Sequence, residues 1–163
     1  MRSSLPEPSA LSELQSSRRL LILACSATKR RDVRLLPALD RYAGPSFRVL
    51  RRWLHDHPMR ATMLDVYVLS AEFGLFPAAQ PIPDYDRRMT AVRAEELRPQ
   101  VAVALRYVVS ATSYAAVGVI MGRRYRLALA GNELLLRPAP VFLSQEGAGI
   151  GAQLAALKQW LEA

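Results

Sequence analysis

The chain has 163 residues, 51% of them apolar, enough for one domain with a real core. No apolar run approaches the roughly 20 residues that span a bilayer, so no membrane partner is expected, and the single Cys25 rules out an internal disulfide and favours a cytoplasmic protein. The net charge of +8 comes from 20 Arg and 2 Lys set against 14 acidic residues. A GC-rich genome accounts for the Arg-to-Lys ratio, but not for the excess of positive charge. That excess suits a polyanion, nucleic acid before membrane; the plain alternative is an ordinary basic domain.

Residues 1–19 are rich in Ser, Pro and Glu and lack the apolar centre of a signal peptide. They read as a flexible arm, with a short helical turn at Ala10–Gln15, ahead of a single α/β domain over 20–163. Leu20–Ala24 is a short apolar run bounded by polar residues, as in a strand buried on both faces. Pro45 to His57 has helical spacing at Phe47, Leu50 and Leu54, with Pro45 in its first turn and Pro58 stopping it. Asp65–Ser70 is the second strand. A Pro-rich loop over Ala71–Thr90 follows; loops of that length are usually functional or disordered. Thr90 N-caps the next helix, whose apolar positions are Val92, Leu97, Val101, Leu105 and Val108, with Pro99 near its start. Ala115–Met121 is a third strand, and Arg123–Arg126 opens a short helix closed by Gly131 and Asn132. Val141–Leu143 is a fourth strand, and the last helix carries Leu154, Leu157 and Leu161 on one stripe.

This alternation predicts a three-layer α/β sandwich with a mostly parallel central sheet of about four strands. Ligands in such sheets bind beyond the carboxyl ends of the strands. That places Cys25–Lys29, Ser70–Gly74, Gly122–Arg124 and Ser144–Gly151 along one rim.

Several groups on that rim carry chemistry. Ser26, Thr28 and Lys29 offer hydroxyls and an ammonium to a phosphate, without the glycines of a P-loop; a capped helix start with a basic tail is the plainer reading. Cys25 lacks a neighbouring His to make it a nucleophile. Tyr42 and Phe47 flank a Gly-Pro turn, and aromatic faces beside Arg41 and Arg48 suit base stacking, although Phe47 fits the core better. Glu72, Asp84 and Asp86 share one long loop. Carboxylates beside an anionic strand have a purpose in glycosidic cleavage, where they polarise water and stabilise a positive transition state. They also fit a plain loop whose acids make turns and pair with Arg87 or Arg88. Phe73, Phe76 and Tyr85 are candidates to line a base pocket. His55 and His57 lack companion metal ligands and fit a helix C-terminus. Gly147, Gly149 and Gly151 at a helix N-terminus make an anion-friendly nest or a simple turn.

Taken in order, CSATK (25–29), YAGPSF (42–47), LSAEFGL (69–75) and IPDYD (82–86) resemble the YaaA-like family, and GAGIG (147–151) before a last helix also fits. The resemblance covers about residues 20–90 and 145–161, while 91–140 matches only in element order. Ala24 departs from a frequent Pro, and Glu72 from a variable, often basic position. The resemblance implies DNA binding and a link to oxidative damage. Its fold is similar to that of uracil-DNA glycosylases, which suggests defence against phage DNA carrying bulky bases such as glucosylated hydroxymethylcytosine.

The expectation is therefore a DNA glycosylase for a modified base in duplex DNA, needing neither metal nor cofactor. Arg30, Arg31, Arg123 and Arg124 would neutralise phosphates. Ser26, Thr28, Lys29 and the three glycines would grip the backbone, with Tyr42, Ser70 and Gly74 at the binding rim. Phe73, Phe76 and Tyr85 would wall the pocket. Asp86, or else Asp84 or Glu72, would orient water, and Lys29 as a Schiff-base nucleophile is the lesser option. The alternatives are a non-catalytic DNA-binding stress protein and a transferase or hydrolase acting on free nucleotides.

Overall fold

The computed structural model describes residues 17–163 except 138, 146 and 148. The turn expected at Ala10–Gln15 lies outside that range. In chain order the elements are β1 (Arg19–Ala24), β2 (Leu36–Pro37), α1 (Ala38–Arg41), α2 (Pro45–Asp56), α3 (Pro58–Ala61), β3 (Leu64–Ser70), β4 (Gly74–Pro77) and β5 (Pro81–Ile82). Then come α4 (Ala91–Ala111), β6 (Ala116–Ile120), α5 (Arg123–Leu129), a 3-10 turn (Glu133–Leu136), β7 (Val141–Leu143) and α6 (Ile150–Glu162).

The central sheet has five strands in the order β4-β3-β1-β6-β7. Its inner pairings and the β6–β7 edge are parallel; β4 runs antiparallel to β3. The fifth strand lies inside the stretch expected to be a loop. Gly74, at φ +71°, turns the chain back so that Ser70 pairs with Gly74 and Tyr67 with Pro77. Pro77 is tolerated because β4 is an edge strand. A second two-stranded ribbon pairs β2 with β5.

Every residue from Leu20 to Leu23 is buried, because helices cover both faces of β1. Leu20 and Ile22 face α4 and α5; Leu21 and Leu23 face α2 and α6. Side-chain alternation along one strand thus feeds two cores. Thr90 caps α4, its hydroxyl accepting from the Arg93 amide at 3.0 Å. Pro99 stands well inside α4 on its exposed side, so the Glu95 carbonyl receives no amide from it. Val92, expected on the core face, is 70% exposed. At about 100° per residue it sits roughly opposite Ala94, which is the residue of that turn facing the core. Among the described residues no helix is long and apolar enough to cross a membrane.

The two ends of the described chain meet at the amino ends of the strands. The Arg19 guanidinium lies 3.9 Å from the Trp160 ring centroid and donates to the carbonyls of Trp160 and Leu161. Trp160 lies flat against β6 because position 118 is glycine; a Cβ there would come within 2.7 Å of the indole. Arg18 pairs with Asp65, which also accepts from the Tyr114 hydroxyl at 2.8 Å.

Candidate functional site at the strand exits

β1 sits centrally, with β3 on one side and β6 on the other, so strand order reverses there. The carboxyl end of β1 opens into Cys25–Arg31, which folds back against the chain before α2. The Arg30 amide donates to the Arg41 carbonyl at 2.8 Å and the Ala43 amide to the Thr28 carbonyl at 2.9 Å. Gly44 lets this turn close against Ser26: a Cβ at 44 would run into the Ser26 hydroxyl and lie 3.0 Å from its Cβ.

Three hydroxyls tie the loops together. The Tyr42 and Tyr85 hydroxyls share a 2.6 Å hydrogen bond, and the Tyr85 hydroxyl lies 2.9 Å from Ser70 Oγ. Ser70 Oγ accepts from the amides of Glu72 (3.0 Å) and Phe73 (3.3 Å), which shapes the turn after β3. Burial, then the nearby Cys25 and Tyr42, pushes the Tyr85 hydroxyl far above its ordinary range; burial does the same to Tyr42. Both stay protonated at neutral pH and serve as hydrogen-bonding groups. Lys29 Nζ lies 4.4 Å from the Tyr85 ring centroid, a cation–π contact. On the β6 side Cys25 Sγ is 3.2 Å from the Tyr125 hydroxyl.

Above this chain of hydroxyls lies a polar cleft of about 500 Å³ lined by Thr28, Lys29, Arg31, Asp84, Tyr85 and Asp86. That size suits a small-molecule or nucleotide unit. A neighbouring hollow of about 240 Å³ shares Ala27 and Thr28 and adds Cys25, Ser26, Gly44 and Gln153. Asp84 accepts from the Tyr85 amide at 3.0 Å. Asp84 and Asp86 are both exposed to the cleft. Cations and carboxylates therefore face each other across one space, able to hold an anionic backbone on one wall and a positively charged or hydroxylated group on the other.

The expected residues divide into those in the cleft and those beneath or beside it. Thr28, Lys29, Arg31, Asp84, Tyr85 and Asp86 share the cleft, and Ser26 adjoins it. Tyr42 and Ser70 are fully buried, and Phe76 is 5% exposed. They support the site from beneath, because β4 carries Phe76 into the core. Phe73 packs edge-on against Tyr85 at 5.1 Å and against Phe76 at 5.7 Å. Glu72 lies outside both hollows and pairs with Arg87 at 3.4 Å. Gly74 serves the turn: a Cβ there would come within 2.8 Å of Gln100, whose amide donates to the Phe73 carbonyl. Arg30, Arg123 and Arg124 are exposed, the latter two opening α5 at the β6 exit. Gly147, at φ +75°, Gly149 and Gly151 lead into α6 with open space where side chains would stand.

Arg41, expected beside aromatic faces that stack on a base, is fully buried. Its guanidinium donates to the carbonyls of Arg30 (2.6 Å), Asp32 (3.1 Å), Arg34 (2.6 Å) and Ile82 (3.3 Å). Tyr125 and Gln153 escaped the sequence reading, since each reaches the site only through helix packing. His57 caps the end of α2 and stacks on Trp53 at 5.0 Å. Among the described residues no three His, Cys, Asp or Glu side chains are grouped to hold a metal.

Fold and site together define a doubly wound α/β domain with a cation- and carboxylate-lined cleft at its topological switch. The chain belongs to a family of unknown function, DUF6884, whose model matches residues 20–159. It is also similar to the crystal structure of AF0587, a protein of unknown function, at a TM-score of 0.54 and 18% identity. That similarity covers 90% of this chain and 45% of AF0587, so the chain spans less than half the length of that protein, and it speaks for the fold alone. No functionally curated protein matches the chain.

Proposed function

We propose that the cleft binds DNA and hydrolyses the N-glycosidic bond of a modified base. The observation that carries this reading is convergence. The motifs CSATK, YAGPSF, LSAEFGL and IPDYD, which resemble those of YaaA-like proteins, meet through Lys29, Tyr42, Ser70 and Tyr85 at one cleft. Asp84 accepts the Tyr85 amide within its own turn, but among the described residues Asp86 makes no hydrogen bond or ion pair that would explain its place in a cleft also lined by Lys29 and Arg31.

In this reading Lys29, Arg31 and the Thr28 hydroxyl hold the phosphates flanking a flipped nucleotide, whose base enters over Tyr85. The C1′–N bond breaks and its electron pair leaves with the base. Asp86, with Asp84 beside it, faces the oxocarbenium-like sugar and takes the proton of the water that adds at C1′. A cleft this open and polar favours a base with a bulky hydroxylated substituent, such as glucosylated hydroxymethylcytosine. The test is incubation of purified protein with modified and plain duplexes, followed by alkali. Strand breaks at the modified base are expected; their absence from both duplexes refutes the chemistry. Full activity of Asp86→Asn refutes only the assignment of that residue.

A second reading, a DNA-binding protein without chemistry, is favoured by Arg30, Arg31, Arg123 and Arg124, all exposed on loops or helix starts at the strand exits. It predicts salt-sensitive binding that survives loss of all three loop acids.

A further inference from the structure

Val33 is 106% exposed and Leu35 63% exposed, at the tip of the loop between Lys29 and β2. The loop that carries these side chains is held at both ends and along its middle. Lys29 is bridged to Tyr42 at one end, and β2 pairs with β5 at the other. Between them the buried Arg41 clamps the carbonyls of residues 30, 32 and 34. The Asp32 carboxylate accepts from the Arg34 amide at 2.9 Å and from its guanidinium at 2.8 and 3.1 Å, which closes the turn around Val33. That pair consumes one positive charge and leaves Lys29, Arg30 and Arg31 as the cationic side of the loop. Arg31 lines the cleft, and Val33 follows two residues later, within about 7 Å along the chain.

We propose that the Arg30–Leu35 loop is a preformed wedge for duplex DNA, with Val33 entering the base stack while Arg30 and Arg31 hold the adjoining phosphates. This rests on DNA being the partner of the cleft. Apolar side chains that enter a base step unstack it and fill the gap left by a displaced base. A wedge must not fold away when it meets the duplex, and the Arg41 clamp has already ordered this one before binding. Cations beside the wedge are needed to hold the backbone as the step opens, and a solvent-facing valine flanked by arginines supplies both functions in one short loop. Among the described residues nothing covers Val33, so its side chain has no packing role there.

The test uses the intact chain and a plain mismatched duplex carrying 2-aminopurine beside the mismatch, so that excision is not required. Wild type is expected to raise 2-aminopurine fluorescence several-fold on binding. Val33→Ser, at a fully exposed position, should fold normally and bind within about threefold of wild type, because phosphate contacts dominate affinity. It should lose the fluorescence gain, and Val33→Leu should restore it. An undiminished gain in Val33→Ser overturns the proposal, as does duplex binding by wild type with no gain, or no duplex binding at all. Unstacking without alkali-labile sites on any modified duplex leaves the wedge standing and refutes the glycosylase reading.

Discussion

Tyr85→Phe removes a single oxygen from the hydroxyl chain under the cleft and leaves the ring in place. Two hydrogen bonds go with it, to Tyr42 at 2.6 Å and to Ser70 at 2.9 Å. A net loss of about 1 kcal/mol for each bond gives about 2 kcal/mol, because Ser70 remains as a second partner for the Tyr42 hydroxyl. Tyr42→Phe breaks only one of the two bonds, and the Tyr85 hydroxyl keeps Ser70, so about 1–1.5 kcal/mol is expected. The double variant loses the same two bonds and should cost about 2 kcal/mol, about 1 kcal/mol less than the sum of the singles, because the Tyr42–Tyr85 bond is lost once rather than twice. Urea denaturation followed by circular dichroism measures all four proteins, with an unchanged slope as the control for compactness. Additivity within about 0.5 kcal/mol would show that the hydroxyls are not coupled and would break the link between the Tyr42 and Tyr85 loops.

Three further outcomes follow from the same geometry. Burial raises the hydroxyls of Tyr42, Tyr85 and Tyr125 above their ordinary value; the stability this confers is complete below about pH 10, where the unfolded chain also keeps its protons. As pH rises further the unfolded state ionises first, so stability should fall by up to about 1.4 kcal/mol per pH unit for each tyrosine held neutral, and the share of tyrosinate absorbance that belongs to these three should appear together with unfolding rather than before it. Gly44→Ala forces a Cβ against Ser26 and should cost about 1–3 kcal/mol in the same denaturation experiment, with Ser26→Gly in the same chain recovering most of it. Replacing Arg30 and Arg31 together by Ala should reduce the slope of log binding constant against log salt by about 2 on duplex DNA, measured by fluorescence anisotropy; an unchanged slope removes both from the phosphate contacts.

The architecture was legible where burial is reported by local sequence. Leu20–Leu23 and Val141–Leu143 read as strands because their runs are short and apolar, and Thr90 reads as a cap because its hydroxyl serves the very next turn. The hidden strand depends on a turn rather than on its own residues. β4 is a strand only because Gly74 folds it onto β3, and nothing in GLFP itself demands that pairing. The cleft was legible in its residue types: Lys29, Arg31, Asp84, Tyr85 and Asp86 meet as a group. Which tyrosine would be buried was not, since Tyr42 and Tyr85 are 43 positions apart and only the hydrogen bond between them distinguishes support from wall. Arg41 is the clearest case. Its four carbonyl partners carry no side-chain signature, so a structural clamp looks from sequence like one more surface arginine.

The stacking of Arg19 on Trp160 has a practical consequence. It brings the first strand and the last helix together at the amino ends of the strands, across the sheet from the cleft. A tether attached at Ser17 or Ala163, the two ends of the described residues, therefore starts on the side away from the cleft, which suits the domain to immobilised single-molecule work. Joining residue 17 to residue 163 through a short linker and reopening the chain elsewhere would give a rearranged version of the described domain whose site is untouched. The same adjacency makes the domain a natural insert, able to sit within a loop of a host protein without prising the host's own ends apart.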